Sequence, residues 1–229
     1  MWHRLSSRSW RKVELLRGRF APINGHTIMT PDPPGDSTTG TSTSGKGALV
    51  REGTGVDLRR HVPDDRDVFV GWYQDAEIAE MLRHDLAPLS TNQARNYFDS
   101  IILPASARGT CWAVFEHGSD RLVGSTALVD IDHQAGTSLF RLVIGEKGTW
   151  GRGYGTEATN LALAEAFLDL KLNQVNLEVF RHNPRAQRAY ARVGFQQTGQ
   201  HVEWVARAHR QIEVLHMSIT GAAWRATAT

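Results

Sequence analysis

A glycine-rich segment offers the clearest chemistry in this sequence. Residues 148–155 spell GTWGRGYG, with four glycines between a predicted strand at 138–146 and a predicted helix at 156–172. Glycines let backbone N–H groups converge, and a helix N-terminus adds about half a positive charge, so the segment suits an anion such as a diphosphate. The alternative is a tight turn whose glycines only supply positive φ angles.

The spacing of the glycines excludes two nucleotide-binding motifs. A dinucleotide fingerprint requires G-x-G-x-x-G, whereas Gly151, Gly153 and Gly155 alternate. The segment at 40–47 resembles a Walker A loop but ends in glycine and follows no predicted strand.

Periodicity and capping patterns predict the elements that must position this loop. Ser90 and Gln93 form a capping-box pattern, and Asn183 with Pro184 begins a helix that Gly194 ends. The predicted elements are helices at about 64–83, 90–103, 156–172 and 184–192, and strands around 56–58, 111–117, 121–131, 138–146, 175–180, 196–206 and 210–218. Strands outnumber helices, and some consecutive strands are joined by turns and others by a helix. The sequence therefore predicts an α+β fold with a mixed sheet.

Composition limits the class of protein. The 229 residues, 41% of them hydrophobic, are enough for one sizeable globular domain. Cys111 is the single cysteine, which excludes an intramolecular disulfide and makes a cytoplasmic location the expectation. We expect no membrane span, because no apolar run reaches the ~18–20 residues that one requires. The ten histidines form no H-x-x-x-H or Cys/His cluster, so no metal site is predicted.

Positive charge is concentrated at the N-terminus. Residues 1–48 carry a net charge of +4 and the remainder −2, so we expect no nucleic-acid partner except through this tail. Residues 31–47 contain 14 Pro, Gly, Ser or Thr and predict a linker. We therefore predict a disordered basic extension and linker at 1–48, a globular domain at 49–222 and a tail at 223–229. The extension is a targeting presequence, an arm for an anionic partner, or a segment without a selected role.

Two motifs resemble one enzyme superfamily. Residues 150–158, WGRGYGTEA, are similar to the acyl-CoA loop of the RimJ/RimL-like branch of the GNAT N-acetyltransferases, with Trp150 where Gln or Arg is usual in the superfamily. A second signature of that superfamily resembles Asn183-x-x-Ala186-x-x-x-Tyr190-x-x-x-Gly194-Phe195. The order of predicted elements from 54 to 219 also resembles the whole GNAT fold.

The resemblance implies a fold and a set of cofactor residues. The fold has a mixed, mostly antiparallel sheet of six to seven strands, about four flanking helices, and a V-shaped splay between the fourth and fifth strands that holds acetyl-CoA. Backbone groups of Leu142 and Ile144 would pair with the pantetheine arm, and the loop N–H groups would hold the pyrophosphate. The implied cofactor residues are Leu142, Ile144, Trp150, Gly151, Arg152, Gly153, Tyr154, Gly155, Thr156, Asn183 and Arg188. Arg185 and Arg188 face either CoA phosphates or solvent.

Acetyl transfer to an amine requires a base for the ammonium proton and an acid for the leaving thiolate. Tyr190 is the expected acid, since a phenol of pKa ~10 is protonated at pH 7. Glu178 is the first candidate for the base, because a carboxylate twelve residues before the signature tyrosine resembles that of the RimI-type LEVR segment. Strand alternation places Glu178 on the face opposite Leu177 and Val179. Glu146 is the second candidate. The structural alternatives are a packed aromatic for Tyr190 and a solvated strand carboxylate for Glu178.

We therefore expect an acetyl-CoA-dependent N-acetyltransferase that transfers acetyl directly to a primary amine in a ternary complex. The acceptor is a protein N-terminus, as the RimJ/RimL resemblance implies, or a small-molecule amine. The alternative is a non-catalytic acyl-CoA sensor or docking module, against which the presence of both Tyr190 and Glu178 argues. The resemblance is compatible with a homodimer, which no pattern specifies. Four aromatic residues either line the acceptor pocket or pack beneath it: Trp72, Tyr73, Tyr97 and Trp204.

Overall fold

An eight-stranded sheet organises residues 45–227, the part of the chain that this computed structural model describes. Its strands are β1 Leu49–Arg51, β2 Val56–Arg59, β3 Cys111–Glu116, β4 Leu122–Asp132, β5 Thr137–Ile144, β6 Gln174–Phe180, β7 Gln196–Val205 and β8 Arg210–Thr220, in the order β1-β2-β3-β4-β5-β6-β8-β7. Only β5 and β6 pair in parallel. The α+β class and the mostly antiparallel mixed sheet are confirmed. The count exceeds the predicted six to seven because β1 adds an antiparallel strand beside β2.

Seven α-helical segments cover the two faces of the sheet within residues 45–227. They are α1 Arg66–Gln74, α2 Ala76–Leu82, α3 Thr91–Tyr97, α4 Leu103–Arg108, α5 Tyr154–Ala164, α6 Pro184–Val193 and α7 Gly221–Thr227. About four were expected, but local chemistry divides the first two. Asp75 begins α2 separately by accepting hydrogen bonds from the N–H groups of Glu77 and Ile78. A π turn at Phe98–Ile102 separates α3 from α4, just before Pro104, which has no N–H to donate.

The predicted capping patterns are confirmed. Ser90 and Gln93 form a reciprocal capping box at the start of α3. Asn183 caps α6 with Pro184 at its first turn, and Gly194 ends α6 with φ of 107°.

The core lies on both faces of the sheet, and β3 shows how the sequence divides it. In its continuous apolar run, Trp112 and Val114 pack toward α5 and α6, whereas Cys111, Ala113 and Phe115 pack toward α1 and α3. A strand covered on both faces needs no polar alternation, so its hydrophobic pattern is unbroken.

The splay that positions the site results from a short parallel pairing. β5 pairs with β6 only where Thr137–Leu139 faces Gln174–Asn176. Beyond that point β5 continues along β4 to Ile144, and β6 continues along β8 to Phe180. The inner edges of the two strands therefore separate, which confirms the predicted V-shaped gap.

The structure corrects two predicted boundaries. Gly47 is buried, and a Cβ there would lie 1.8 Å from the carbonyl oxygen of Arg60, so the packed domain includes residues before 49. The predicted tail at 223–229 includes most of α7, because Trp224 is buried and donates from Nε1 to Asn160 Oδ1 at 2.6 Å. The prediction for residues 1–44 lies outside the described residues. Across residues 45–227, no helix combines the length and apolar character needed to cross a membrane.

Candidate active site

A cavity of ≈ 360 Å³ occupies the gap between β5 and β6. Its walls come from α2, β5, the glycine-rich loop, β6 and α6. Nearly every residue that the sequence placed at the cofactor lines it, and so do both catalytic candidates; of these residues only Arg152 is outside the lining. The predicted residues in the lining are Leu142, Ile144, Trp150, Gly151, Gly153, Tyr154, Gly155, Thr156, Glu178, Asn183, Arg188 and Tyr190.

The β5 edge presents backbone groups to the cavity. The carbonyl of Arg141 and the N–H of Gly145 bond to β4. Because backbone groups alternate along a strand, those of Leu142 and Ile144 project toward the gap. The Ile144 carbonyl accepts a 2.7 Å hydrogen bond from Trp150 Nε1, which leaves the Leu142 groups and the Ile144 N–H directed at the cavity.

The glycine-rich loop directs a helix N-terminus at the same cavity. Gly151 and Gly153 have φ angles of 85° and 89°. A Cβ at either would meet nothing within 4 Å, so the backbone angle rather than space requires glycine. No described side chain caps α5, so the N–H groups of Tyr154, Gly155 and Thr156 at its first turn are available to an anion.

Side chains around the loop hold it to β2 and β3. Glu157 accepts from the backbone N–H of Gly55 at 3.0 Å. Glu116 accepts from the Tyr154 hydroxyl at 2.6 Å and pairs with Arg152 at 3.1 Å. The hydrogen bond from Tyr154 lowers the pKa of Glu116. Tyr154 and Arg152 therefore fix the loop to β3 with their side chains.

Cationic side chains face the loop from α6. The Arg185 guanidinium carbon lies 3.5 Å from the ring centroid of Trp150, a cation–π contact. Arg188, which is exposed, also lines the cavity. Trp150 therefore makes two contacts. Its ring packs against the Arg185 guanidinium, and its Nε1–H donates to the Ile144 carbonyl at the end of β5.

Asn183 and Tyr190 occupy the wall that α6 contributes. Asn183 Oδ1 accepts from the Ala186 N–H at 3.1 Å, and its amide nitrogen lies 3.4 Å from the Met81 carbonyl, so the side chain joins α6 to α2. The Tyr190 ring meets Phe140 edge-on, with the ring centroids 6.1 Å apart. Burial raises the pKa of Tyr190 well above its ordinary value, so the phenol is protonated at neutral pH.

Glu178 reaches the cavity from the other face of the sheet. Leu177 and Val179 pack into the core shared with Tyr190, and Glu178 projects oppositely, beside His84. His84 Nε2 lies 3.5 Å from the Glu178 carboxylate. Burial is the largest influence and opposes ionisation, but the hydrogen bond from His84 and the charges of His84, His216 and His201 together outweigh it and lower the pKa of Glu178, which favours the carboxylate form.

Sequence reasoning missed a polar network beside Glu178. His84 Nδ1 lies 2.8 Å from one oxygen of Glu203, and His201 Nε2 lies 2.7 Å from the other. His201 Nδ1 is 2.6 Å from His216 Nε2. We name these five residues the histidine–glutamate network: His84, Glu178, His201, Glu203 and His216. The alternation of His201 and Glu203 in β7 was the available signal, but His84 comes from a loop far away in sequence.

Other candidates lie outside the cavity lining. Glu146 pairs with Arg121 at 3.2 Å. Tyr73 and Tyr97 stack with Phe69 in the core beneath α1 and α3, and Trp72 packs there as well. Trp204 is 62% exposed.

Comparisons with known proteins agree on one family. The sequence profile described as "Acetyltransferase (GNAT) domain" matches residues 56–196. An uncharacterized N-acetyltransferase p20 of Bacillus licheniformis is 23% identical over 164 residues, which are 71% of this chain and 90% of that protein. The probable N-acetyltransferase YjcK of Bacillus subtilis (strain 168) is 31% identical over 101 residues, 44% of this chain and 53% of that protein.

Solved structures share the fold. A spermidine N-acetyltransferase from Vibrio cholerae, in complex with CoA and spermine, superposes with a TM-score of 0.64 at 21% identity and covers 74% of this chain and 98% of that one. The GNAT acetyltransferase profile spans more than half of this chain and includes the splay, the glycine-rich loop and Tyr190. The chain therefore belongs to the GNAT family and is an N-acetyltransferase.

Proposed function

We propose that this enzyme transfers acetyl from acetyl-CoA directly to a primary amine, with both substrates bound together. One observation carries the proposal. Tyr190 and Glu178 enter a single cavity from opposite faces of the sheet, through the gap between β5 and β6. A donor that threads the gap would therefore have the acid on one side and the base on the other.

The residues around the gap fit acetyl-CoA. The free backbone groups of Leu142 and Ile144 suit the amides of the pantetheine arm, which would complete the β5 edge like an added strand. The uncapped N-terminus of α5 suits the pyrophosphate. Arg185 and Arg188 add positive charge at the same mouth.

Tyr190 and Glu178 then divide the proton transfers. The amine nitrogen forms a bond to the thioester carbonyl carbon, and the carbon–sulfur bond breaks. Glu178 accepts the amine proton through a water, and Tyr190 donates its phenol proton to the departing thiolate. Solvent returns both groups to their starting forms. Each is in the form the step needs, since the pKa of Glu178 is lowered and that of Tyr190 is raised.

The acceptor side of the cavity favours a cation. Glu178 and Glu203 lie on that side, and α2 closes over it. A protonated amine is attracted there before it loses its proton. The spermidine N-acetyltransferase that shares this fold supports a small polyamine, and the RimJ/RimL-like loop supports a protein N-terminus. We place both amine classes among the candidate acceptors.

An amine-panel assay tests the proposal. The full chain is incubated with acetyl-CoA and spermidine, an aminoglycoside, an amino-acid amide or peptides with free N-termini, and products are detected by mass and by released thiol. We expect at least one acetylated amine, and Tyr190→Phe to lower kcat roughly 10²-fold or more with CoA affinity retained. Tyr73→Phe, a tyrosine outside the cavity, is the matched control.

Two results would contradict the proposal. Unchanged turnover in Tyr190→Phe would remove the acid role from Tyr190. A parent protein that binds CoA yet acetylates no amine would favour the non-catalytic sensor or docking module.

A further inference from the structure

The acceptor side of the site carries a cluster of three side chains, of which two, His201 and His216, have no part in the proposed acetyl transfer. Glu178, His201 and His216 each offer one oxygen or nitrogen atom as a ligand, and these three atoms lie within 4.8 Å of one another. One residue comes from each of the neighbouring strands β6, β7 and β8. We propose that these three side chains bind a divalent transition metal ion, with Zn²⁺ as the best match.

The pairing of three strands brings the three side chains to one face. Across β6 and β8, Glu178 pairs directly with His216. Along β7, a bulge precedes Gly199, which pairs with His216. Beyond the bulge, His201 pairs with Val214, two residues along β8 from His216, so its side chain lies on the face that carries Glu178. The register of β7 on β8 therefore assembles the cluster.

The hydrogen bonds leave suitable lone pairs at the centre. His201 Nε2 lies 2.7 Å from Glu203 Oε1 and donates its hydrogen there, which leaves His201 Nδ1 as an acceptor. The 2.6 Å contact with His216 Nε2 then requires a proton between the two rings. A metal ion would take the place of that hydrogen bond and bind both nitrogens, once the two rings move apart and the His216 hydrogen transfers from Nε2 to Nδ1.

Glu203 gives the cluster the supporting contact that metal-binding histidines commonly have. A carboxylate that accepts the far N–H of a ligating imidazole fixes the ring and increases its basicity. Glu203 does this for His201, and its second oxygen contacts His84 at 2.8 Å. The supporting residue is therefore itself held in place.

The ligand set indicates the class of metal. Two imidazoles and one carboxylate suit Zn²⁺ and related divalent ions, whereas Mg²⁺ and Ca²⁺ prefer oxygen ligands. Three protein ligands leave a coordination position open, on the side where Glu178 lines the cavity.

Occupancy would have a consequence that rests on the proposed function. The metal would take the carboxylate that acts as the base, so we expect Zn²⁺ to inhibit acetyl transfer and a chelator to restore it. Metal binding itself is measured without acetyl-CoA or amine, so it can fail or succeed independently of the proposed function.

The test is Zn²⁺ titration by calorimetry on the full chain without a polyhistidine tag. We expect a site that His201→Gln or His216→Gln weakens at least about 100-fold, and that Glu203→Gln weakens roughly 10- to 100-fold. His182→Gln, a neighbouring half-buried histidine that hydrogen-bonds to the Glu80 carbonyl, should bind Zn²⁺ like the parent. Absence of binding in the parent, or binding that survives both ligand substitutions, would overturn the proposal.

A measurement on the parent protein covers the case in which a variant does not fold. Zn²⁺ should shift the ring NMR signals of His201 and His216 and leave those of His182 unchanged. Equal shifts in all three would also overturn the assignment.

Discussion

Two histidine networks on this fold use similar bonds in different surroundings. His61 links Asp65 and Ser125 through its two ring nitrogens, at 2.9 Å each, and its side chain is 0% exposed. In the histidine–glutamate network, His84 and His201 each contact the carboxylate of Glu203. Their side chains are 28% and 34% exposed. The first has the connectivity of a hydrolase triad without access for a substrate. Connectivity alone therefore does not identify a catalytic site on this chain.

The buried network, which consists of His61, Asp65 and Ser125, joins three elements of the core. The backbone N–H of His61 donates to Ser106 Oγ in α4 at 2.7 Å, and the ring reaches Ser125 in β4. The ring also meets Phe98 edge-on at 5.6 Å. These contacts satisfy both nitrogens of the imidazole, so this network stabilises the fold. In the histidine–glutamate network, by contrast, His84 and Glu178 line the cavity.

The largest expected effect is on enzyme turnover, from a substitution in the histidine–glutamate network. Glu178→Gln removes the base but preserves shape, so we expect kcat to fall roughly 10²- to 10⁴-fold, with little change in the free energy of unfolding. Glu146→Gln, the other candidate base, should leave kcat unchanged because Glu146 lies outside the cavity. Steady-state kinetics with the best amine measures both. A loss in Glu146→Gln that equals the loss in Glu178→Gln would exchange their roles.

The next largest effect is expected on the alkylation rate of Cys111. Its Sγ lies 3.9 Å from the Oγ of Ser125, a member of the buried network. Burial raises the pKa of this thiol from 9.0 to about 12. The thiolate fraction at pH 8 is therefore roughly 10³-fold lower than for an ordinary thiol. We expect slow alkylation by iodoacetamide in buffer and fast alkylation in urea, measured by mass. Equal rates would show that the buried network is open to solvent.

His61→Ala should have a smaller effect, on stability. It leaves Asp65 buried without its partner, so we expect the free energy of unfolding to fall by about 3 kcal/mol. His84→Ala, at the half-exposed network, is the matched control and should cost less than about 1 kcal/mol. Urea denaturation measures both variants. A larger loss in His84→Ala than in His61→Ala would reverse the assignment of structural and functional networks.

The smallest effect is expected at a third pair, His117 with Asp57, at the surface. The hydrogen bond that His117 Nδ1 donates to Asp57 Oδ1, at 2.9 Å, raises the pKa of His117 in the folded protein. The folded state therefore binds the proton more tightly than the unfolded state, and the stabilisation is present below about pH 6.5 and lost as pH rises through the folded pKa. His117→Gln should lower Tm slightly at pH 6 and leave it unchanged at pH 8.5. An equal loss at both pH values would contradict a charge-dependent bond.

The sequence predicted the parts of the site that local motifs encode. The positions of Tyr190 and Asn183 in one signature, and of the glycines in another, put them on the walls of one gap. The alternation in β6 was also sufficient to place Glu178 on the face opposite Leu177 and Val179.

Contacts between distant segments were beyond sequence reasoning. Glu203 and His84 are 119 residues apart, and a bulge before Gly199 reverses the alternation of β7, so the pattern along the sequence did not place His201 beside His216. The helix around Trp224 was missed because its stability comes from Phe167 and Asn160 rather than from a periodic pattern.

The bulge in β7 has an evolutionary consequence. Thr198 is the extra residue, between Gln197, which pairs with Met217, and Gly199, which pairs with His216. Removing Thr198 would make this pairing regular and would leave His201 opposite Val214, on its present face. A single-codon deletion at the bulge would therefore keep the metal ligand and its supporting glutamate in place. Among descendants of this gene, the length of β7 before Gly199 should therefore vary by one residue without loss of the network.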